Sequence, residues 1–195
     1  MTPEDLLDLA RASGALLEGH FLLSSGLHSP RYFQCARLLA HPEVATRIGA
    51  ALGEKASGLG VDFAIAPALG GILVAHEVAR KLGVRALFAE RDSDSGQLVL
   101  RRGFTIDPGE RALVLEDVVT TGGSLRETVQ IVRAHGGKVV ATAAIVDRSR
   151  EPVTAEGVPF FSLARLDFPA YEPSSCPLCR AGSTGVKPGS RPRRA

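Results

Sequence analysis

The sequence predicts an α/β fold, an open doubly wound parallel sheet with flanking helices. Three observations carry this expectation. Short apolar runs recur at VDFAIAP (61–67), VRALFAE (84–90), ALVLE (112–116) and VVATAAIVD (139–147), each of strand length. Stretches of helical periodicity that end in glycine separate several of them. The chain is 195 residues long and 45% hydrophobic, enough for one well-buried core with a small appendage. Buried strands joined through helices pair in parallel and carry helices on both faces.

The elements follow in order. Thr2 is placed to cap an opening helix, with Pro3 at its first position, Asp5 at capping-box spacing and Gly14 beyond its end. A polar, glycine-containing segment, LSSGLHSPRYFQCARLL, comes next. A second helix is expected from Pro42 to about Ser57, with Val44, Ile48, Ala51 and Leu52 on one face and Gly58 and Gly60 past its end. Helices are also expected over 71–83 and from Ser124 to His135, the latter stopped by Gly136 and Gly137. Residues 91–110, RDSDSGQLVLRRGFTIDPGE, break the rhythm with a polar tip and a possible short hairpin. Twenty helix-free residues between core strands point to a lid. We read one unit over 1–195, with a core at 42–150 and a C-terminal extension at 151–195 whose last ten residues look disordered.

Charge and composition narrow the function. The formal net charge is +2, and much of the basic excess sits in KPGSRPRRA, which argues against a nucleic-acid-binding surface. No apolar run approaches the roughly 18 residues that span a bilayer, and the N-terminus lacks a basic-then-apolar export signal. The expected location is the cytoplasm. Three cysteines, Cys35, Cys176 and Cys179, form no disulfide framework and suit a reducing compartment. Asparagine does not occur, a weak sign of a hot or GC-rich source.

The chemistry concentrates in ALVLEDVVTTGGSLRETV (112–129). Ligands of open parallel sheets collect at the carboxyl ends of strands, where Glu116 and Asp117 fall. The TTGGS turn behind them offers successive amides, glycines that curl tightly, hydroxyls and the positive end of a helix, which together suit a phosphate monoester. Two like charges 4 Å apart repel by about 4 kcal/mol at an effective dielectric of 20, so the acids must face something other than that phosphate. Hydroxyl donors or a cation carried by the ligand satisfy them, and a ribose 5-phosphate supplies both halves. The competing reading is structural: Ser124 and Glu127 have capping-box spacing, and Gly-Gly can make a plain tight turn.

CPLC (176–179) is half of a tetrahedral metal site, and the sequence shows neither a second CxxC nor a histidine pair beside it. A buried turn is the favoured reading, with a zinc site shared between two subunits as the alternative. Among the five histidines, His28 is a minor candidate near the substrate. Lys187 is expected in a solvated tail, with a cap over the site as the alternative.

VLEDVVTTGGS resembles the phosphoribosyl-pyrophosphate (PRPP) motif of type I phosphoribosyltransferases. HFLLSSGLHSPRYFQCARLL resembles the base-binding segment of the orotate phosphoribosyltransferases within that family, and VDRS their strand-end Asp-Arg. The likeness runs over about residues 15–150, in the expected order. It implies transfer of ribose 5-phosphate from PRPP to orotate, with pyrophosphate released. It also implies Mg²⁺ carried on the pyrophosphate near Asp117 without a direct protein ligand, and a homodimer whose lid acts across the interface. Residues 1–40 would then form a hood over the base, helped by the C-terminal region. By the same resemblance PRPP falls to Arg91, Glu116, Asp117, Val118, Val119, Thr120, Thr121, Gly122, Gly123 and Ser124. Orotate falls to Thr120, Arg148, Tyr32, Phe33 and Ser24. Asp117 and Arg91 carry the catalytic expectation, with Arg101 and Arg102 as further lid cations over 91–103. Many members carry a Lys/His-rich lid and a Lys before the SG of the base segment; this chain has RDSDSGQLVL and Ser24. Two other readings stay open: a purine phosphoribosyltransferase, and a PRPP-sensing regulator that binds nucleic acid.

Overall fold

The computed structural model describes residues 1–23, 25–153, 155 and 157–188. Thr2 caps helix α1 (Pro3–Ala12) as expected: its hydroxyl accepts from the Asp5 amide at 3.2 Å, and the Asp5 carboxylate accepts from the Thr2 amide at 2.7 Å. The polar segment that follows is an antiparallel hairpin, β1 (Leu16–Leu22) and β2 (His28–Phe33), and it leads into the short helix α2 (Cys35–Leu39). Helix α3 (Pro42–Ala56) packs along helix α4 (Gly70–Leu82). Gly49 makes this contact possible, because a Cβ there would lie 2.5 Å from Glu77 Cβ.

The remaining strands are β3 (Phe63–Pro67), β4 (Arg85–Arg91), β5 (Leu98–Leu100), β6 (Arg111–Val119), β7 (Lys138–Asp147) and β8 (Phe160–Arg165); helix α5 (Gly123–Ala134) joins β6 to β7. They form one sheet in the order β5-β4-β3-β6-β7-β8. Five strands run parallel, and β5 pairs antiparallel with β4. The doubly wound parallel expectation thus holds, with an antiparallel edge added. One hydrophobic cluster joins α1, α2, α3 and α4 to one face of the sheet through residues such as Ile48, Leu52, Val74, Leu113 and Leu115. The other face receives α5, whose Leu125, Val129 and Val132 meet Phe63, Ile65 and Val114.

Several expectations are corrected. The strand expected at 112–116 runs on to Val119, because β7 continues to pair with it as far as Asp147. Strand β8 escaped the sequence reading; FFSLAR carries only a short mixed pattern and is a strand because β7 offers an open edge. Within 91–110, the polar tip closes a hairpin: Asp92 N donates to Gln97 O at 2.8 Å, and Asp92 Oδ1 accepts from the Ser95 amide at 2.9 Å. The C-terminal extension is not a solvated tail up to residue 188. After a 3₁₀ turn, Pro173–Ser175, and the short helix α6 (Pro177–Arg180), the chain returns to β1, where Val186 N donates to His20 O at 2.8 Å and Leu22 N to Val186 O at 2.9 Å. The disordered reading of 186–195 therefore fails at Val186, and residues 189–195 lie outside the described residues. Among the described residues, no helix is long and apolar enough to cross a membrane.

Candidate functional site

Strand order reverses between β3 and β6: from β3 the chain moves outward to β4, then returns to place β6 on the other side of β3. A crevice opens at such a switch point, at the carboxyl ends of the two strands. The β3–α4 loop and the β6–α5 turn border it. Leu115 is fully buried, whereas Glu116, Asp117 and Val118 are half-buried, so the acids stand where β6 leaves the core. Consecutive strand residues face opposite sides of a sheet. Asp117 accordingly faces α4, so close that a Cβ on Gly70 would sit 2.6 Å from Asp117 Oδ2. Its Oδ1 accepts from the Val118 amide at 2.9 Å. Glu116 lies on the α5 side, where its charge helps to raise the Arg91 pKa. The two acids thus flank the strand tip from its two sides.

The turn is open where it matters. Thr120 and Thr121 are exposed, and Gly122 takes φ +71°, a left-handed conformation that a side chain would strain. Helix α5 starts at Gly123 with Gly122 as its cap residue, and among the described residues no side chain caps it. The capping-box reading fails for a specific reason. Ser124 lies inside the first turn, where its carbonyl accepts from Thr128 Oγ1 at 2.8 Å, and the Glu127 carboxylate is held by Arg91. Of the two valines in the motif, Val119 is buried in the core against α5, so only its backbone can serve a ligand.

Arg148 follows the end of β7, beside that turn, and its amide donates to Val119 O at 2.8 Å. Asp147 and Ser149 brace it: Asp147 Oδ1 accepts from the Ser149 amide at 2.8 Å and from its hydroxyl at 2.6 Å. The guanidinium lies over the Phe168 ring, 4.5 Å from its centroid, and Nε is buried with no hydrogen-bond partner among the described residues. Burial pushes the Arg148 pKa down, while Tyr32 and Asp167 nearby oppose this. The arrangement presents a stiff, partly desolvated fork of donors. Tyr32, on β2, is half-buried next to it. Phe33, the last residue of β2, is 3% exposed, with its side chain in the main core. Ser24 lies outside the described residues.

All three lid arginines are engaged by acids. Arg91 ends β4 and grips Glu127 at 2.8 and 3.1 Å, while also donating to Gly96 O at 2.8 Å. This pairing raises the Arg91 pKa and lowers that of Glu127. Arg102 pairs with Glu90 at 2.7 and 2.8 Å, and Arg101 with Asp92. The 91–103 segment is therefore a hairpin with its cations held by neighbouring carboxylates.

Away from this crevice, the sequence showed no histidine pair beside CPLC. The structure brings His20 and His28 to Cys176 and Cys179, with one potential ligand atom from each within 4.8 Å of all the others. The missed signal is the hairpin: an antiparallel register that pairs Leu22 with His28 puts His20 and His28 on one face as a diagonal pair.

Comparison with known proteins agrees with the crevice. Residues 34–167 match the family model of the phosphoribosyl transferase domain. The orotate phosphoribosyltransferase of Heliobacterium modesticaldum is 52% identical over 194 residues, spanning 98% of this chain and 100% of that protein. The protein of the same name from Carboxydothermus hydrogenoformans is 52% identical over 189 residues, spanning 96% and 97%. Among solved structures, the orotate phosphoribosyltransferase of Aeropyrum pernix superposes with a TM-score of 0.69 at 26% identity, covering 83% of this chain and 93% of that one. Near-full-length identity of this size, together with an acid-tipped strand, an uncapped Thr/Gly/Ser turn and a braced arginine at one switch point, assigns the chain to the orotate phosphoribosyltransferase family.

Proposed function

We propose that this chain transfers the ribose 5-phosphate group of PRPP to orotate, yielding orotidine 5′-monophosphate and pyrophosphate, a step of pyrimidine biosynthesis. The observation that carries the reading is the juxtaposition of two complementary half-sites at the carboxyl ends of β6 and β7. One is the acid-tipped, uncapped turn 116–124, and the other is Arg148 with its partnerless buried Nε. Sugar phosphate fits the first and a planar anion fits the second.

In this reading the amides of the Thr120–Ser124 turn and the positive end of α5 bind the 5-phosphate, while Asp117 and Glu116 accept from the ribose hydroxyls. Arg148 forks onto orotate, Tyr32 flanks the ring and Thr120 serves both ligands. The bond from C1 of the ribose to pyrophosphate breaks as the orotate ring nitrogen, giving up its proton, bonds to that carbon, and pyrophosphate leaves with the bonding electrons and can take up that proton. The protein supplies orientation and charge stabilisation, and no nucleophilic side chain takes part. Arg91 reaches pyrophosphate by exchanging Glu127 for it; the pair is about half exposed on both sides, and such ion pairs contribute only about 0.2–1 kcal/mol. Mg²⁺ bound to pyrophosphate supplies further charge neutralisation, and the hard carboxylate oxygens of Asp117 and Glu116 fit its waters of hydration.

Two further features belong to the proposal. A homodimer is supported by Leu69 and Leu73, 82% and 50% exposed, which stand one turn apart at the start of α4 beside the crevice. In this reading the hairpin over 91–103 acts across that interface. Cytoplasmic operation suits three free cysteines.

The test mixes protein, Mg²⁺, PRPP and orotate and follows the ultraviolet absorbance of orotate, with adenine, guanine, hypoxanthine and uracil as competitors. Orotate consumption that depends on PRPP supports the proposal. Consumption of a purine in its place removes it.

A further inference from the structure

His20, His28, Cys176 and Cys179 converge from two parts of the chain that are 148–159 residues apart in sequence. His20 Nε2 is 3.8 Å from Cys176 Sγ, 3.7 Å from Cys179 Sγ and 2.9 Å from His28 Nδ1; Cys179 Sγ is 3.2 Å from His28 Nδ1. A tetrahedron with metal–sulfur bonds of about 2.3 Å and metal–nitrogen bonds of about 2.0–2.1 Å has edges of about 3.3–3.8 Å. Four of the six separations lie within about half an ångström of those edges, and all six lie within 4.8 Å, so small side-chain shifts bring the donors to bonding distance of one ion. Two soft thiolates and two imidazoles in this arrangement select zinc.

The surroundings of His20 point the same way. Its Nδ1 lies 3.0 Å from the Ser183 carbonyl oxygen and 2.9 Å from Ser183 Oγ, whose own proton goes to Leu178 O at 2.9 Å. A carbonyl only accepts, so Nδ1 carries the proton and Nε2 turns its lone pair on the two sulfurs. This is the second contact that typically fixes the tautomer of a metal-ligating histidine. Gly185 lets the returning chain pass, since a Cβ there would lie 3.3 Å from His20 Nε2 and 2.5 Å from Leu22 Cδ2. His20 and Cys176 are buried, and the four donors complete the coordination shell with no position left for substrate.

We propose that His20, His28, Cys176 and Cys179 form a structural Zn²⁺ site that fastens the C-terminal segment to the β1–β2 hairpin and thereby steadies the strand that carries Tyr32. All four ligands come from one chain, so the site needs no second subunit. It is independent of the transferase reading, because its readout is metal content.

The full chain, produced with zinc in the medium and purified under reducing conditions without a histidine tag, is analysed for metal by mass spectrometry. About one zinc per chain is expected, surviving dialysis against a moderate chelator. Cobalt(II) exchanged into the site should show a thiolate-to-metal charge-transfer band and the intense visible bands of tetrahedral coordination. Cys179→Ser and His28→Gln should each lose the metal, and Cys35→Ala, buried at the first position of α2, should keep it. Should the variants fail to fold, stripping wild-type protein with a strong chelator is expected to lower Tm by about 5 °C or more, with recovery on adding Zn²⁺ but not Mg²⁺. Less than about a tenth of an equivalent of zinc in the wild type, or undiminished zinc in Cys179→Ser, overturns the proposal.

Discussion

The guanidinium of Arg148 rests on the ring of Phe168, 4.5 Å from its centroid, with its Nε desolvated and unpaired among the described residues. An orientation fixed from below leaves the outer donors for an anion. Arg148→Ala should raise the orotate KM about 10- to 100-fold, the loss of one or two charge-assisted hydrogen bonds of about 1.5–3 kcal/mol, and leave the PRPP KM within about twofold. Phe168→Leu should act in the same direction but more weakly, because it removes about 0.5–2 kcal/mol of ring–cation contact. Steady-state kinetics with each substrate varied in turn decide it; an equal rise in both KM values would mean that Arg148 does not face the base.

Asp117 and Gly70 form a second coupled pair. Asp117→Asn keeps the shape but weakens an acceptor, so the PRPP KM should rise about tenfold or more. Gly70→Ala should reproduce much of that effect without touching the carboxylate, since its methyl would lie 2.6 Å from Asp117 Oδ2 and push it aside. Isothermal titration of PRPP against both variants provides the check. Wild-type affinity in Gly70→Ala would show that the position of Asp117 does not matter.

Arg91 and Glu127 offer a kinetic test of the lid. The pair is about half exposed, so Glu127→Gln should cost less than about 1 kcal/mol in urea unfolding. Freed of its competitor, Arg91 should then meet pyrophosphate more readily, and the PRPP KM should fall. Arg91→Ala should instead lower kcat. A Glu127→Gln variant with a raised PRPP KM would indicate that the pair positions the site in its closed form.

The helix–helix contact at Gly49 sets two effects against each other. Alanine improves helix propensity by about 1 kcal/mol over glycine. Its methyl would nonetheless lie 2.5 Å from Glu77 Cβ and 2.7 Å from Glu77 backbone carbon, neither of them the flexible end of a side chain. Overpacking costs about 1–3 kcal/mol, so Gly49→Ala should be destabilising in thermal or urea melts.

Asp62 ties the entry of β3 to that of β6, accepting from the Arg111 amide at 2.9 Å and from its guanidinium at 3.0 Å. Side-chain hydrogen bonds from Arg111, with its backbone amide, lower the Asp62 pKa to about 2. A depressed folded-state value means that the stabilisation is complete above the ordinary carboxyl pKa near 3.8 and is lost as pH falls through about 2. Asp62→Asn should flatten the acid side of a stability–pH curve between about pH 4 and 2 and leave its neutral region with the same slope.

The parallel core was legible because its strands are buried on both faces, and burial leaves unbroken apolar runs such as FAIAP and ALVLE. The tight turn between β6 and α5 was legible because close chain curvature demands glycine where φ turns positive, as at Gly122. What escaped depends on distant partners. FFSLAR becomes a strand through the free edge of β7, and VKP is ordered through β1. The fate of Arg91 depended on Glu127, 36 residues away. His20 and His28 looked isolated because nothing local announces that a chain 148–159 residues later will return beside them.

That return has a consequence for how the molecule comes into being. The hairpin of β1 and β2 leaves the ribosome early, while Tyr171, Cys176, Ser183 and Val186, which bond to it, are made only after the whole sheet. A nascent chain therefore carries a β1–β2 hairpin without these partners until its final residues emerge, and translation arrested before them would leave that hairpin unfastened beside a completed sheet.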